Sequence, residues 1–423
     1  MPSWPSASRA WLARARFTTG RIAGDLVRTI DAIRANIVDE LGAKDPRAAV
    51  VRLWQLIDAS HKIMESVDDS SGMTGGCLQG AVADLGRMLQ KSEVDDAPAL
   101  AERVHANFLD NGYGIKDGLV RAVSPALGVE GRAALRRLFE EDLAALEAMS
   151  APSGDRGVDY DQRSRRFAAA RGLMDIADAE GDVDGFLRAA ERSPYVVAHV
   201  EEAAEQLLKA KRPAEALLWL DRVPTDHGQW RDSAGEGLVG LKLSALDALG
   251  RKNDAQALRW LMFERHLWTF YLREYVKRLP DFEDDDVIRK AIALALAYPG
   301  VLDALMFLVD WPDLDAAAKL VIARAAEIDG RHYQILNHAI DRLEDNHPVA
   351  TTILLRTKTD SVLTRASSAQ YVHAARDLAR AAALAPKLEA ASAIPTHAAY
   401  FAGIKTKHAR KTSFWPKVQG VGL

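Results

Sequence analysis

Two stretches of this chain repeat one another in residue type and order, and that repeat limits the folds open to it. Lys211-Arg212-Pro213-Ala214-Glu215-Ala216-Leu217-Leu218-Trp219-Leu220 returns as Lys252-Asn253-Asp254-Ala255-Gln256-Ala257-Leu258-Arg259-Trp260-Leu261. The two tryptophans stand roughly forty residues apart, a period found among helical solenoid repeats. In each copy a polar break precedes Pro213 or Asp254, residues suited to opening a helix. Small alanines let two helices approach, and the Trp-Leu pair is predicted to fill the groove between neighbouring hairpins. Gly181 to Leu187 reads as a weaker earlier copy.

The rest of the chain carries the same period. Ile22, Leu26, Ile30, Ile33 and Ile37 recur at steps of three and four, as do Val50, Leu53, Trp54 and Ile57 behind Asp45-Pro46. Pro125 and Gly128 interrupt a further helix, and one long aromatic helix is predicted from Asp254 through Trp260, Phe263, His266, Phe270, Tyr271 and Tyr275. Sustained two-residue alternation is missing, so no sheet is predicted. The expected fold is all-α: a right-handed α-solenoid of stacked antiparallel helix pairs, TPR-like in part. Its expected divisions are a lead-in over 1–20, an N-terminal helical layer over 21–149, a linker at Ser150 to Gly157, a solenoid over 158–394, and a cap helix with a basic aromatic tail over 395–423.

Composition narrows the function. With 423 residues and 48% hydrophobic content the chain has material for an extended core, and a net charge of −4 argues against a surface that is basic throughout. Cys77 is the single cysteine, which rules out an intrachain disulfide and the paired thiolates of common structural zinc sites. The cytoplasm is the expected location. No apolar run reaches the eighteen or so residues of a membrane span; Ala291 to Tyr298 and Val301 to Val309 are short and parted by Pro299-Gly300. Trp4, Trp11, Arg9, Arg14 and Arg16 occupy an N-terminus without the continuous apolar segment of a secretory signal.

Catalytic signatures are missing: there is no phosphate-binding G-x-x-x-x-G-K-[ST], no H-E-x-x-H and no G-x-S-x-G. No catalytic residue, metal ligand or cofactor is assigned, and the chain is expected not to be an enzyme. The acidic loop Glu65 to Gly72 reads as self-capping rather than as a cation site, and the turn at Asn111-Gly112-Tyr113-Gly114 follows a helix, not the strand a dinucleotide site requires. Cys77, close to a helix start, has one reading as a thiol of lowered pKa. His61 and Glu65 stand one helical turn apart without further ligands, and Asp284-Asp285-Asp286 suits a helix N-terminus.

The C-terminal tail is the most distinctive local signal. No Asp or Glu follows Glu389, while Lys405, Lys407, Arg410 and Lys411 gather around Phe414 and Trp415. Basic residues interleaved with aromatics suit nucleic acid, through phosphate charge and base stacking, and Lys405, Lys407, Arg410, Lys411 and Trp415 are the contact residues of that reading. The same aromatics, with Tyr400 and Phe401, also suit a cap over the last apolar surface of a solenoid. The expected partner is a protein held on the helical surface, with nucleic acid on the tail as the alternative.

Three segments carry a resemblance: His347-Pro348-Val349-Ala350 with Leu354-Leu355-Arg356, then Tyr371-Val372-His373-Ala374-Ala375-Arg376-Asp377-Leu378, then His408-Ala409-Arg410-Lys411-Thr412-Ser413-Phe414-Trp415. Together they resemble the helical region that accompanies SWIM zinc fingers in bacteria. The segments around Glu65 to Gly72 and Asn111 to Leu119 are similar to those of a larger uncharacterised bacterial family sharing that tail. The resemblance implies protein or nucleic-acid binding. Zinc does not come with it, because a SWIM finger needs several cysteines and this chain has Cys77 alone.

Overall fold

The computed structural model describes residues 20–149, 156–223, 233–280, 282–388 and 394–422. The lead-in up to residue 19 and most of the expected linker therefore lie outside the described residues, and Gly20 already belongs to the first helix. Among those described, every regular element is helical and none is a strand. Two compact units divide the chain, Met1–Leu249 and Gly250–Leu423.

In the first unit the helices run α1 Gly20–Ala35, α2 Pro46–Glu65, α3 Met73–Leu89, α4 Ala97–Leu109, α5 Leu119–Ala148, α6 Arg156–Glu180, α7 Val183–Arg192, α8 Val200–Lys209, α9 Pro213–Leu220 and α10 Ser233–Ala248. Local chemistry sets many of the starts. Asp45, Asp96 and Asp182 accept the amides of Ala48, Ala99 and Gly185, and Pro46 and Pro213 take first-turn positions where no amide is needed. Chain neighbours then pack on each other, α2 on α3, α4 on α5, α5 on α6, α6 on α7 and α8 on α9. The predicted interruption falls at Gly128, whose φ of 59° and ψ of −165° kink α5, a conformation that favours glycine. Arg156 and Gly157, expected in the linker, open α6 instead.

The second unit contains α11 Lys252–His266, α12 Thr269–Val276, α13 Asp284–Ala297, α14 Val301–Asp310, α15 Leu314–Ala323, α16 Tyr333–Leu343, α17 Pro348–Thr364, α18 Tyr371–Leu384, α19 His397–Lys407 and α20 Trp415–Gln419. The single aromatic helix expected beyond Asp254 is in fact two. Leu267 adopts a left-handed φ of 53° and Trp268 is extended, which ends α11 and restarts the chain as α12. The break divides the aromatics: Phe263 and Tyr271 are buried, whereas Phe270 is exposed.

The two Trp-Leu copies also pack differently. In α9 the inward residues are Ala216, Leu217, Trp219 and Leu220; in α11 they are Ala255, Arg259, Met262 and Phe263. Leu261 is therefore exposed, and Trp260 is half-buried between Phe263, Tyr275 and the Lys290 ammonium. Similar sequence gave similar helices, but the inward face depends on which neighbours each helix meets.

Candidate binding cleft

α17 is buried around most of its circumference, with Leu354 and Leu355 fully covered alongside the polar Thr351, Arg356, Lys358 and Thr359. It packs on α15, α16 and α18. Burying a charge on a helix so enclosed is costly unless it is paired inside the protein. Lys358 finds partners in α18 and α16: its ammonium donates to Asp377 at 3.0 and 2.9 Å and to the Asn337 carbonyl oxygen. Burial pushes the Asp377 carboxyl above its ordinary value, opposed by Lys358.

That ion pair lies on the wall of a cleft of about 660 Å³, formed wholly within the second unit by α16, α17, α18 and the adjoining turns. Gly330, which precedes α16, belongs to the same wall. A Cβ there would stand 2.4 Å from the Thr357 carbonyl oxygen, so only glycine lets this turn close on α17. The other cations around the cleft differ in how far they are neutralised. Arg331 pairs with Asp329 at 2.6 Å, and Arg380 pairs with Asp341 at 3.1 Å and with Glu344. Arg365 donates only to the Ser361 carbonyl of its own helix. Among the described residues, neither Arg365 nor Arg376 meets a carboxylate. His373 shares the Arg376 side of α18.

The helix repeat explains this arrangement. In Tyr371 to Leu378, Tyr371, Ala374, Ala375 and Leu378 face the core, while His373, Arg376 and Asp377 border the cleft. One segment of the resemblance thus serves both sides of α18.

The tail residues occupy a separate place. Phe414 has no exposed surface and joins Val362, Leu363, Tyr371, Leu378, Ile404 and Val418 in one apolar cluster, with Tyr400, Phe401 and Trp415 packed against it. The Phe414 and Tyr371 rings meet edge to face at 5.4 Å. Trp415 is half-buried, its indole N–H donating to the His408 carbonyl at 3.1 Å and its ring set against Phe401 and Phe414. Lys405, Lys407 and Arg410 are exposed, and Lys411 is half-exposed with its ammonium 5.9 Å from the Tyr371 ring centre. The aromatics of the tail are thus engaged with the protein, while Lys405, Lys407 and Arg410 face outward.

Two tail histidines make this docking sensitive to pH. Burial lowers the affinity of His408 and His397 for protons, helped by the Lys411 and Lys407 charges and opposed by Asp360 at the first, and helped by Arg356 at the second. Asp360, which accepts the Tyr400 hydroxyl and whose carboxyl pKa burial raises, pulls the other way, at lower pH than the histidines. A released tail would protonate near the ordinary value of 6.5 while the docked tail resists, so docking is fully favoured above about 6.5 and weakens as pH falls below it. Hydrogen exchange over residues 397–419 should accelerate between pH 7.5 and 5.5, after correction for intrinsic rates, more than exchange in α5. Equal protection factors at both pH values would refute this.

Other sequence candidates are closed by their own hydrogen bonds. Asp69 accepts the amides of Thr74 and Gly75 at 2.9 and 2.8 Å, and Asp68 holds Ser70, so the acidic loop does cap itself. Asn111 bridges the Lys116 amide and the Asp117 carboxylate across its turn. His61 and Glu65 approach to 3.3 Å as an exposed pair. The reading of Cys77 as an activated thiol is overturned: burial pushes its pKa up to about 11, and it donates to Asp31 at 2.9 Å. In the first unit Asp175, fully buried, receives Arg121 at 3.0 Å and Arg171 at 2.8 Å, and both arginines reach on to Glu202. This cluster ties α5, α6 and α8 together. Among the described residues no group of three or more His, Cys, Asp or Glu is placed to hold a metal ion, and no helix is long and apolar enough to cross a membrane.

Sequence reasoning missed the cleft because its residues are scattered from Gly330 to Arg380. One signal was available: His373, Arg376, Asp377 and Arg380 form a polar stripe at helical spacing opposite an apolar one. Comparison with curated proteins and with solved structures returns no match. A family model does match, from residue 8 to residue 417, and by it the chain belongs to the family of unknown function DUF6880.

Proposed function

We propose that this chain is a non-enzymatic helical scaffold of the cytoplasm that binds a protein partner, and that the cleft of the second unit receives an acidic segment of that partner. The observation behind this reading is the pair of guanidinium groups, Arg365 and Arg376, that meet no carboxylate among the described residues and lie beside a concave surface. Arginine offers planar, directed donors that suit carboxylate recognition. Right-handed, TPR-like stacking of the helix pairs belongs to the same proposal, as does kinship with the helical region that accompanies SWIM fingers.

The test is affinity capture from the native host with full-length protein, with and without nuclease, beside an Arg365→Glu/Arg376→Glu variant. A stoichiometric protein partner should survive nuclease and fall by about ten-fold or more in the variant, as expected for losing charge-assisted contacts and adding repulsion. Partners lost on digestion, with binding abolished by neutralising Lys405, Lys407, Arg410 and Lys411, would replace this reading with nucleic-acid association. A partner retained in full by the charge-reversed variant would move the binding surface away from the cleft.

A further inference from the structure

We infer that the acidic group this cleft recognises is a phosphoryl group, carried on a phosphorylated side chain of the partner segment; the inference rests on the protein-binding reading above. The charge arrangement favours a doubly charged ligand over a carboxylate. That part of the wall is already neutral, because Lys358 and Asp377 satisfy one another at 2.9 Å and Asn337 takes another ammonium hydrogen. Asp341, the other carboxylate of the wall, is held by Arg380 at 3.1 Å. What remains facing the cavity is Arg365 at the end of α17 and Arg376 on α18, with His373 beside it.

A single carboxylate balances one of these guanidinium groups and leaves the other uncompensated. A phosphate monoester carries about −1.5 to −2 charges at neutral pH and three acceptor oxygens, enough to serve both. Arginine forks match phosphate oxygens in pairs, which adds direction to charge. The cavity, at about 660 Å³, holds more than a phosphoryl group. The exposed Tyr333 ring and the exposed Ala369 side chain offer apolar surface for the atoms that carry it.

The experiment is calorimetric titration of the full-length protein with acetyl-Ala-phosphoserine-Ala-amide, its glutamate and serine counterparts, and inorganic phosphate. The phosphorylated peptide should bind about ten-fold or more tightly than the glutamate peptide, and Arg365→Gln and Arg376→Gln should each weaken it by about ten-fold. Both arginines are exposed, so these variants should keep the parent unfolding transition, which is checked alongside. Inorganic phosphate binding as well as the phosphopeptide would overturn the side-chain source and leave a free-phosphate site. Equal affinity for glutamate and phosphoserine, or no binding of the phosphopeptide, would overturn the phosphoryl inference. The scaffold reading is decided separately: nuclease-resistant capture that persists after phosphatase treatment of the lysate keeps that reading while ending this one.

Discussion

Asp377→Ala is expected to destabilise the second unit by about 3–5 kcal/mol, the cost typical of removing one partner from a buried ion pair. Lys358 and Asp377 are each about 7% exposed, so either charge left alone would keep only the little solvent that reaches the cleft wall. With Asp377 gone, the ammonium keeps only Asn337, an uncharged acceptor. The reverse change is milder. In Lys358→Met the remaining carboxyl, which burial already raises toward its neutral form, can take up a proton, and the loss should be roughly 1–3 kcal/mol. Lys358→Met/Asp377→Leu should recover much of the Asp377→Ala loss, since an apolar pair needs no desolvation of charge. Native-state hydrogen exchange at the α17 amides reads all three free energies locally, which matters in a chain of two units. Equal losses in the two single variants would sink this account, because it depends on the carboxyl being able to neutralise and the ammonium not.

Phe414→Ala should cost about 3–5 kcal/mol in the stability of the docked tail, the range for truncating a buried phenylalanine. The ring is fully covered and touches α18 through Tyr371, while Ile404 and Val418 bring α19 and α20 onto the same cluster. A cavity at that point removes the contact shared by all three helices. The two short tail helices have little independent stability, so the loss should release them together. Exchange over residues 397–419 would then approach that of an unstructured segment, while α16 keeps its protection. Lys405→Ala, at an exposed position, is the control and should leave exchange unchanged. If Phe414→Ala left the tail as protected as before, the docked-cap description would be wrong.

Much of the secondary structure was legible because its causes are local. Asp96 before Ala97-Pro98, Asp182 before Val183 and Pro348 at the start of α17 fix helix starts through one amide or one dihedral each. Pro299-Gly300 and Gly128 stop or kink helices for reasons held within a few residues. The misread break at Leu267 illustrates the limit. Nothing in Arg265-His266-Leu267-Trp268 forbids a helix, and Leu267 accepts a left-handed conformation where its side chain is buried.

Burial was less legible than helicity. The aligned Trp219 and Trp260 differ in depth because each helix turns toward different neighbours, and a sequence match does not encode the neighbour's position. The tail shows the same limit: its composition suited stacking on bases or capping a core, and only packing placed Phe414 inside and Lys405, Lys407 and Arg410 outside.

The sequence by itself determined an all-helical chain, many of its helix limits and the lack of paired cysteines, since periodicity, caps and counts are properties of short stretches. The tertiary structure alone decided which faces are covered, that Lys358 meets Asp377, and that Arg365 and Arg376 border one cleft without a carboxylate partner among the described residues. The physical reason is range. A helix start depends on neighbours within a turn, whereas burial and charge pairing depend on residues brought together by helices that lie far apart in the chain.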